Sequence, residues 1–209
     1  RLDAHRLIEE FMILANVAAA ESLESKRQAL IYRAHDAPSL AKLESLREFL
    51  RTLEISLAKS GTLRPSHFNG ILSQVKASEH ESLVNEVVLR SQSQAVYSPD
   101  NIGHFGLNLD RYAHFTSPIR RYADLIVHRA LVTAFDLGEG GLSREDEENL
   151  QATAEEISRA ELRAMAAERD TVDRLIAHHL ADRIGDDFEF EPRMGIAEGG
   201  KLDRQQRGG

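Results

Sequence analysis

The residues best suited to chemistry lie between positions 116 and 128, where hydroxyl, arginine, aspartate and histidine side chains follow one another closely. Ser117 is a good N-cap and Pro118 is favoured at the first helical position, so the sequence predicts a helix from there to about position 135. The unpaired N–H groups and the positive dipole end of such a helix attract a phosphate. Arg120 and Arg121 add two permanently charged guanidinium groups. This segment therefore has the chemistry of a phosphate-binding site.

The same segment also fits a purely structural role. Arg121, Asp124 and His128 share one helical stripe, and the aspartate is spaced to pair with the arginine. The other side of the helix is apolar: Ile119, Ile126, Val127 and Leu131. On spacing alone, two interpretations remain: a salt-bridged stripe that faces solvent, and a phosphate-binding site.

The elements that must position this segment are mainly helical. Apolar residues at helical spacing predict four helices before it and a long one after it, at about 2–23, 40–57, 66–76, 79–91 and 144–183. The first helix is expected to be buried over a wide face, and Ser143 is expected to cap the last one. β-prone residues predict a short strand at 29–33 and two more within 95–115. We predict a predominantly α-helical α+β fold with a few short strands.

Composition narrows the class of protein. A formal net charge of −8 argues against a protein that simply coats nucleic acid, although a local basic channel would be compatible with it. No apolar run approaches the ~20 residues of a membrane span, so no membrane partner is expected. The absence of cysteine suits a reducing cytoplasm. We expect one domain over residues 1–187, a flexible glycine-rich tail over 188–209, and an origin within a longer chain.

Three ordered motifs carry a family resemblance. Residues 103–107 (GHFGL) and 112–122 (YAHFTSPIRRY) together resemble the signature of the ribonuclease II/ribonuclease R catalytic domain. Residues 7–16 (LIEEFMILAN) are similar to a helix of that domain, and residues 167–170 (AERD) are similar to its last helix. The segments around 29–36 and 97–101 resemble the ribonuclease R branch in order and spacing. The chain is identified on these residues as a C-terminal portion of such a catalytic domain, covering about 1–185.

The resemblance implies a 3′→5′ hydrolytic exoribonuclease that takes single-stranded RNA and releases nucleoside 5′-monophosphates. Arg120 matches the arginine that contacts the scissile phosphate, and Arg121 and Ser117 would bind RNA beside it. Glu168 matches a glutamate near the nucleotide exit. Glu9 matches one near the 3′-terminal riboses, with the adjacent Glu10 as the alternative. Each glutamate also fits an ordinary surface charge.

The family's Mg²⁺ is implied, but its aspartate cluster is not found in this sequence. The acidic residues near the end of the chain, among them Asp182, Asp186 and Asp187, lie at the wrong end of the domain. The spacings of His104, His114 and His128 match no compact metal motif, so packing or hydrogen-bonding roles are expected for them. We therefore expect the isolated chain to be inactive and the missing N-terminal half of the domain to be a partner.

Aromatic side chains near the signature have two interpretations. The four residues concerned could stack on RNA bases or belong to the core, and the core is the favoured role: Phe105, Tyr112, Phe115 and Tyr122.

Two other functions compete with the exoribonuclease. One is a non-catalytic RNA-binding remnant, which would bind RNA in a salt-sensitive way without hydrolysis. The other is a helical assembly protein in which the arginine–aspartate stripe is only structural. An RNA degradation assay separates the exoribonuclease from the RNA-binding remnant. Protein association without any RNA effect would favour the assembly protein.

Overall fold

The computed structural model describes residues 2–57, 64–181 and 183, and within these ranges it contains seven α-helices, one short 3₁₀ helix and two strands. In chain order the elements are α1 (Asp3–Ser25), β1 (Tyr32–Ala34), α2 (Leu40–Thr52), α3 (Pro65–Gln74), α4 (Glu81–Ser91), β2 (Val96–Ser98), the 3₁₀ helix (Phe105–Leu107), α5 (Tyr122–Phe135), α6 (Arg144–Glu148) and α7 (Leu150–Leu180). The predominantly helical α+β class is confirmed. No helix of the described ranges is both long and apolar enough to cross a membrane.

The first core lies between the small sheet and three helices. β1 and β2 pair antiparallel, with Tyr32 opposite Ser98 and Ala34 opposite Val96. α7 packs against β2, and α1 packs against α5. The buried side chains at these contacts come mainly from α1, β1 and α5: Ala20, Leu23, Ile31, Tyr32, Ala123, Ile126, Val127 and Ala130. This core places the middle of α1, at Asn16, beside the segment that leads into α5, where the signature residues lie.

A second core is built by α2, α3 and α4. Each helix contributes a stripe of apolar residues: Leu43, Leu46, Leu50, Phe68, Ile71, Val84 and Val88. The ring of Phe105 meets that of Phe68 edge to face, with 5.9 Å between centroids. The 3₁₀ helix is thereby attached to the second core, while the segment that follows it runs to the first.

The start of α5 differs from the prediction. The helix begins at Tyr122, and residues 118–120 form a turn instead of its first turn. The backbone N–H groups of Arg120 and Arg121 both donate to the carbonyl of Ser117, and Arg121 is extended with φ −125° and ψ 118°. Ser117 is therefore not the N-cap of α5, and the two arginines precede the helix.

Other boundaries also move. The strand at 29–33 lies at Tyr32–Ala34, and α2 ends at Thr52. Of the two strands expected within 95–115 only β2 forms; the second is replaced by the 3₁₀ helix and isolated bridges of His104. The long last helix is interrupted at Asn149, although its cap is correct because the Ser143 side chain accepts from the N–H of Asp146.

The first helix is not buried over a wide face. Only its second half enters the core, through Asn16, Ala19, Ala20 and Leu23. In its first half Leu7, Phe11 and Leu14 are 56%, 57% and 63% exposed. Apolar spacing correctly indicated a helix but not what covers it. The tail expected at 188–209, and Asp182, Asp186 and Asp187, lie outside the described residues.

Candidate nucleic-acid interface

The turn over residues 117–121 is held by hydrogen bonds to a buried carboxylate. Asp124, in the first turn of α5, is completely buried, and its Oδ1 accepts from the Ser117 N–H at 2.8 Å and from Arg121 Nη2 at 2.9 Å. Its Oδ2 lies 2.8 Å from Arg121 Nε, an ion pair whose angle is outside hydrogen-bond geometry. The stripe of Arg121, Asp124 and His128 is thus not a solvated face, because its central charge is internal.

Asn16 of α1 holds the other side of the same segment. This residue is 3% exposed, and its Oδ1 accepts from the backbone N–H groups of Phe115, at 2.9 Å, and Thr116, at 3.2 Å. Its Nδ2 donates to the hydroxyl of Tyr112 at 2.9 Å. Sequence analysis did not select Asn16, although one polar residue inside an apolar run, at positions 11–20, was the available signal.

Arg120 projects from this fixed turn into solvent. The residue is exposed, and among the described residues its guanidinium makes no hydrogen bond or ion pair. The neighbouring Ile119 is 98% exposed. The two arginines therefore differ: Arg121 is neutralised by Asp124, whereas Arg120 presents an unneutralised cation. An anion from outside is the natural complement to that charge.

A cavity of about 410 Å³ lies between α1 and the signature segment. Its polar lining residues are His5, Glu9, Asn16, Tyr112, Thr116 and Arg121. The apolar ones are Ile8, Met12, Ile13 and Leu107, and the surface of the cavity is mainly apolar. A mainly apolar wall with a few polar groups is suited to an organic ligand that carries hydrogen-bonding groups.

The structure brings some of the predicted site residues together and leaves one apart. Glu9 and Arg121 line the cavity, Glu10 does not, and Arg120 stands on the adjoining turn. Ser117 takes part through its backbone. Glu168 is exposed on the second half of α7 and does not line the cavity. Of the two candidate glutamates, the placement favours Glu9.

The aromatic candidates divide between core and surface. Tyr112 is 8% exposed, and Phe105 and Phe115 pack against the cores, whereas Tyr122 is 54% exposed. His128 stacks on the ring of Phe115, with 4.4 Å between centroids, and its Nε2 lies 2.8 Å from the Phe115 carbonyl. The packing and hydrogen-bonding role expected for this histidine is present.

A partly buried polar network supports the site from the side of α7. Tyr97 Oη lies 2.9 Å from His114 Nδ1, and the guanidinium of Arg33 covers the Tyr97 ring at 4.5 Å. Arg33 in turn makes two hydrogen bonds to Glu161, at 2.7 and 3.1 Å. Burial, followed by repulsion from Arg121 and Arg33, lowers the pKa of His114 to about 3. His114 is therefore neutral at pH 7.

His104 behaves in the same way. Burial, followed by the neighbouring His35, lowers its pKa to about 4, and its Nδ1 accepts from the Leu107 N–H. In the unfolded chain both His104 and His114 regain a pKa near 6.5, so below that pH the unfolded state binds protons that the folded state refuses. The stability contributed by these residues is complete above about pH 6.5 and is lost as pH falls towards 4 and below.

We expect the free energy of unfolding to decrease between pH 7 and pH 4, and the decrease to be smaller in His114→Gln. Urea unfolding at unit pH intervals measures both slopes. His178→Gln, at an exposed position near the end of α7, is the matched control and should keep the wild-type slope. An unchanged slope in His114→Gln would contradict the prediction.

The fit of a metal to this group can be judged from its donors. Within the described residues no three histidine, aspartate or glutamate side chains are arranged to hold a metal ion. The carboxylate of Asp124 is committed to Arg121 and to a backbone N–H group. The described part of the chain therefore does not fit the Mg²⁺ that the family resemblance implies.

Comparison with known proteins identifies the family of this chain. The RNB domain model matches residues 1–136, so the chain belongs to the RNB-domain family. Ribonuclease R of Vibrio parahaemolyticus is 38% identical over 198 residues, which cover 90% of this chain and 24% of that protein. The chain thus spans about a quarter of the length of that relative. The resemblance to the ribonuclease R/II exoribonucleases is confirmed.

Solved structures of the same family agree. Mycoplasma genitalium ribonuclease R in complex with ribose-methylated single-stranded RNA matches with a TM-score of 0.79 and 30% identity, over 89% of this chain and 30% of that one. The same enzyme in complex with double-stranded RNA matches with a TM-score of 0.78 and 31% identity, over 88% of this chain and 33% of that one. The described fold is that of part of a ribonuclease R catalytic domain.

Proposed function

We propose that this chain supplies the phosphate-binding side of the active site in a longer 3′→5′ hydrolytic exoribonuclease, which degrades single-stranded RNA to nucleoside 5′-monophosphates. The observation that carries the proposal is the exposed Arg120, which has no counter-charge in the part of the chain that the structure describes and stands on a turn held by Asn16 and Asp124. The structures of ribonuclease R with bound RNA support it, because this chain shares their fold over most of its described length.

Each side chain of the site has a task in this proposal. Arg120 contacts the phosphate at the bond to be broken and stabilises the negative charge that develops in the transition state. Glu9, in the cavity beside the turn, accepts hydrogen bonds from ribose hydroxyls and so distinguishes RNA by its 2′-OH. Arg121 keeps the turn in place through its ion pair with Asp124. Glu168, exposed on α7, acts near the exit of the released nucleotide.

The metal-binding side of the active site would come from other parts of the longer enzyme, called the parent from here on. Mg²⁺ would activate water and stabilise phosphate charge, and its ligands are proposed to lie in the N-terminal half of the domain. The exposed apolar residues of α1, Leu7, Phe11 and Leu14, supply a surface against which that half would pack. The proposed setting is the cytoplasm.

The test is degradation of a 5′-labelled single-stranded RNA by the purified parent in Mg²⁺. We expect a ladder that shortens from the 3′ end, nucleoside 5′-monophosphates as products, and no reaction after removal of Mg²⁺ with a chelator. A DNA strand of the same sequence is the control for recognition of the 2′-OH. Internal cleavage, or release of nucleoside 3′-monophosphates, would contradict the proposal.

The 209-residue chain alone separates the exoribonuclease from the RNA-binding remnant. In the same assay it should release no mononucleotide, while retaining weak RNA binding that falls as salt rises. A parent that binds RNA but never hydrolyses it would support the remnant.

A further inference from the structure

Three consecutive backbone N–H groups in front of Arg120 are held by two buried side chains from different helices. Asn16 Oδ1 accepts from Phe115 and Thr116, and Asp124 Oδ1 accepts from Ser117. The carbonyl of Ser117 then accepts from the N–H of Arg120 at 3.3 Å. The backbone leading to Arg120 is therefore held by Asn16 at Phe115 and Thr116 and by Asp124 at Ser117.

Burial of the polar side chain of Asn16 has a free-energy cost. A side-chain amide buried in an apolar helix lowers stability unless its donors and acceptor are used, and here Oδ1 is used twice and Nδ2 once. All of its partners lie in residues 112–116, about a hundred positions away in sequence. The amide thus joins α1 to the signature segment, and no other buried residue of α1 has a polar side chain.

From this geometry we propose that Asn16 is a positioning residue of the exoribonuclease, acting on the reacting phosphate through the turn that carries Arg120. The inference rests on the proposed function. Loss of its acceptor oxygen would release the N–H groups of Phe115 and Thr116. Asp124 and His128 would still bind the backbone of this segment, but its link to α1 through Asn16 would be gone. A displacement of Arg120 by about 1 Å is enough to lower the rate on the order of 10²-fold.

The experiment is a double-mutant cycle in the full-length parent, with kcat and KM measured on single-stranded RNA. Asn16→Ala should lower kcat on the order of 10²-fold, with a much smaller change in KM. In an Arg120→Ala background the same substitution should cost less than about 3-fold, because its effect passes through Arg120. A merely structural asparagine would give losses that multiply in the double variant.

Two variants separate positioning from loss of folding. Asn16→Asp keeps an oxygen that can accept from Phe115 and Thr116, and the Tyr112 hydroxyl can reverse its role and donate, so kcat should stay within about 10-fold of wild type. Tyr112→Phe removes only the partner of Nδ2; it should give a smaller loss with the same coupling to Arg120, even if Asn16→Ala does not fold. Asn101→Ala removes an acceptor for the Gly103 N–H outside the site and is the matched control, with wild-type kcat expected.

The outcomes distinguish the two proposals. A parent without exoribonuclease activity would overturn the proposed function and this inference with it. An active parent that loses its rate on Arg120→Ala, but in which the effects of Asn16 and Arg120 multiply, would overturn the positioning role alone. Non-additive loss together with activity of Asn16→Asp would support it.

Discussion

Arg120→Ala should lower kcat of the parent ribonuclease on the order of 10²–10³-fold, while RNA binding weakens much less. The reason is that Arg120 is exposed, carries no internal counter-charge among the described residues and stands on a fixed turn. Its interaction with a phosphate grows as negative charge develops in the transition state, so the loss falls on kcat rather than KM. Single-turnover degradation of a labelled RNA measures the effect.

Arg120→Lys provides the internal comparison. Lysine keeps the charge but not the forked geometry, so its rate should lie between wild type and Arg120→Ala. Arg144→Ala, which removes another exposed arginine, on α6, should leave kcat unchanged. Turnover by Arg120→Ala equal to wild type would remove the role given to this residue and leave the exposed cation without function.

Local sequence signals predicted those elements whose ends are set by local chemistry. The helix expected at 79–91 is found at Glu81–Ser91, and the Ser143 cap forms because a serine accepts from an N–H three residues later. The predicted start of α5 at Ser117 and Pro118 was wrong, although both residue types are common at the start of a helix. The buried carboxylate of Asp124 accepts from the N–H of Ser117 and pairs with Arg121. Because these side-chain interactions compete with helical hydrogen bonds and the backbone of Arg121 is extended, the helix begins only at Tyr122.

The missed part of the site depends on contacts between distant segments. Asn16 and Thr116 are 100 positions apart, and periodicity within α1 carries no information about such a partner. The same is true of Arg33 and Glu161, which support Tyr97 and His114. Sequence could identify Arg120 as a candidate through its motif. The fold adds that Arg121 is paired with Asp124, whereas Arg120 has no such partner within the described ranges 2–57, 64–181 and 183.

The second large effect concerns stability. Arg121→Ala should lower the free energy of unfolding by about 3–5 kcal/mol, because it leaves the carboxylate of Asp124 buried without its counter-charge. Asp124 is completely buried, and the side chain of Arg121 is 22% exposed. Water therefore cannot easily replace the guanidinium. Urea unfolding at pH 7, with the slope of the transition held in common, measures the change.

A double variant and a matched pair make this prediction specific. Adding Asp124→Asn to Arg121→Ala removes the stranded charge while leaving an oxygen for the Ser117 N–H, so the double variant should be more stable than Arg121→Ala alone. Arg159→Ala breaks a pair with Glu156 at the same spacing, but there both side chains are more than half exposed and the cost should be about 0–1 kcal/mol. Equal costs for Arg121→Ala and Arg159→Ala would mean that Arg121 does not hold the turn and is available for RNA, as its neighbour Arg120 is.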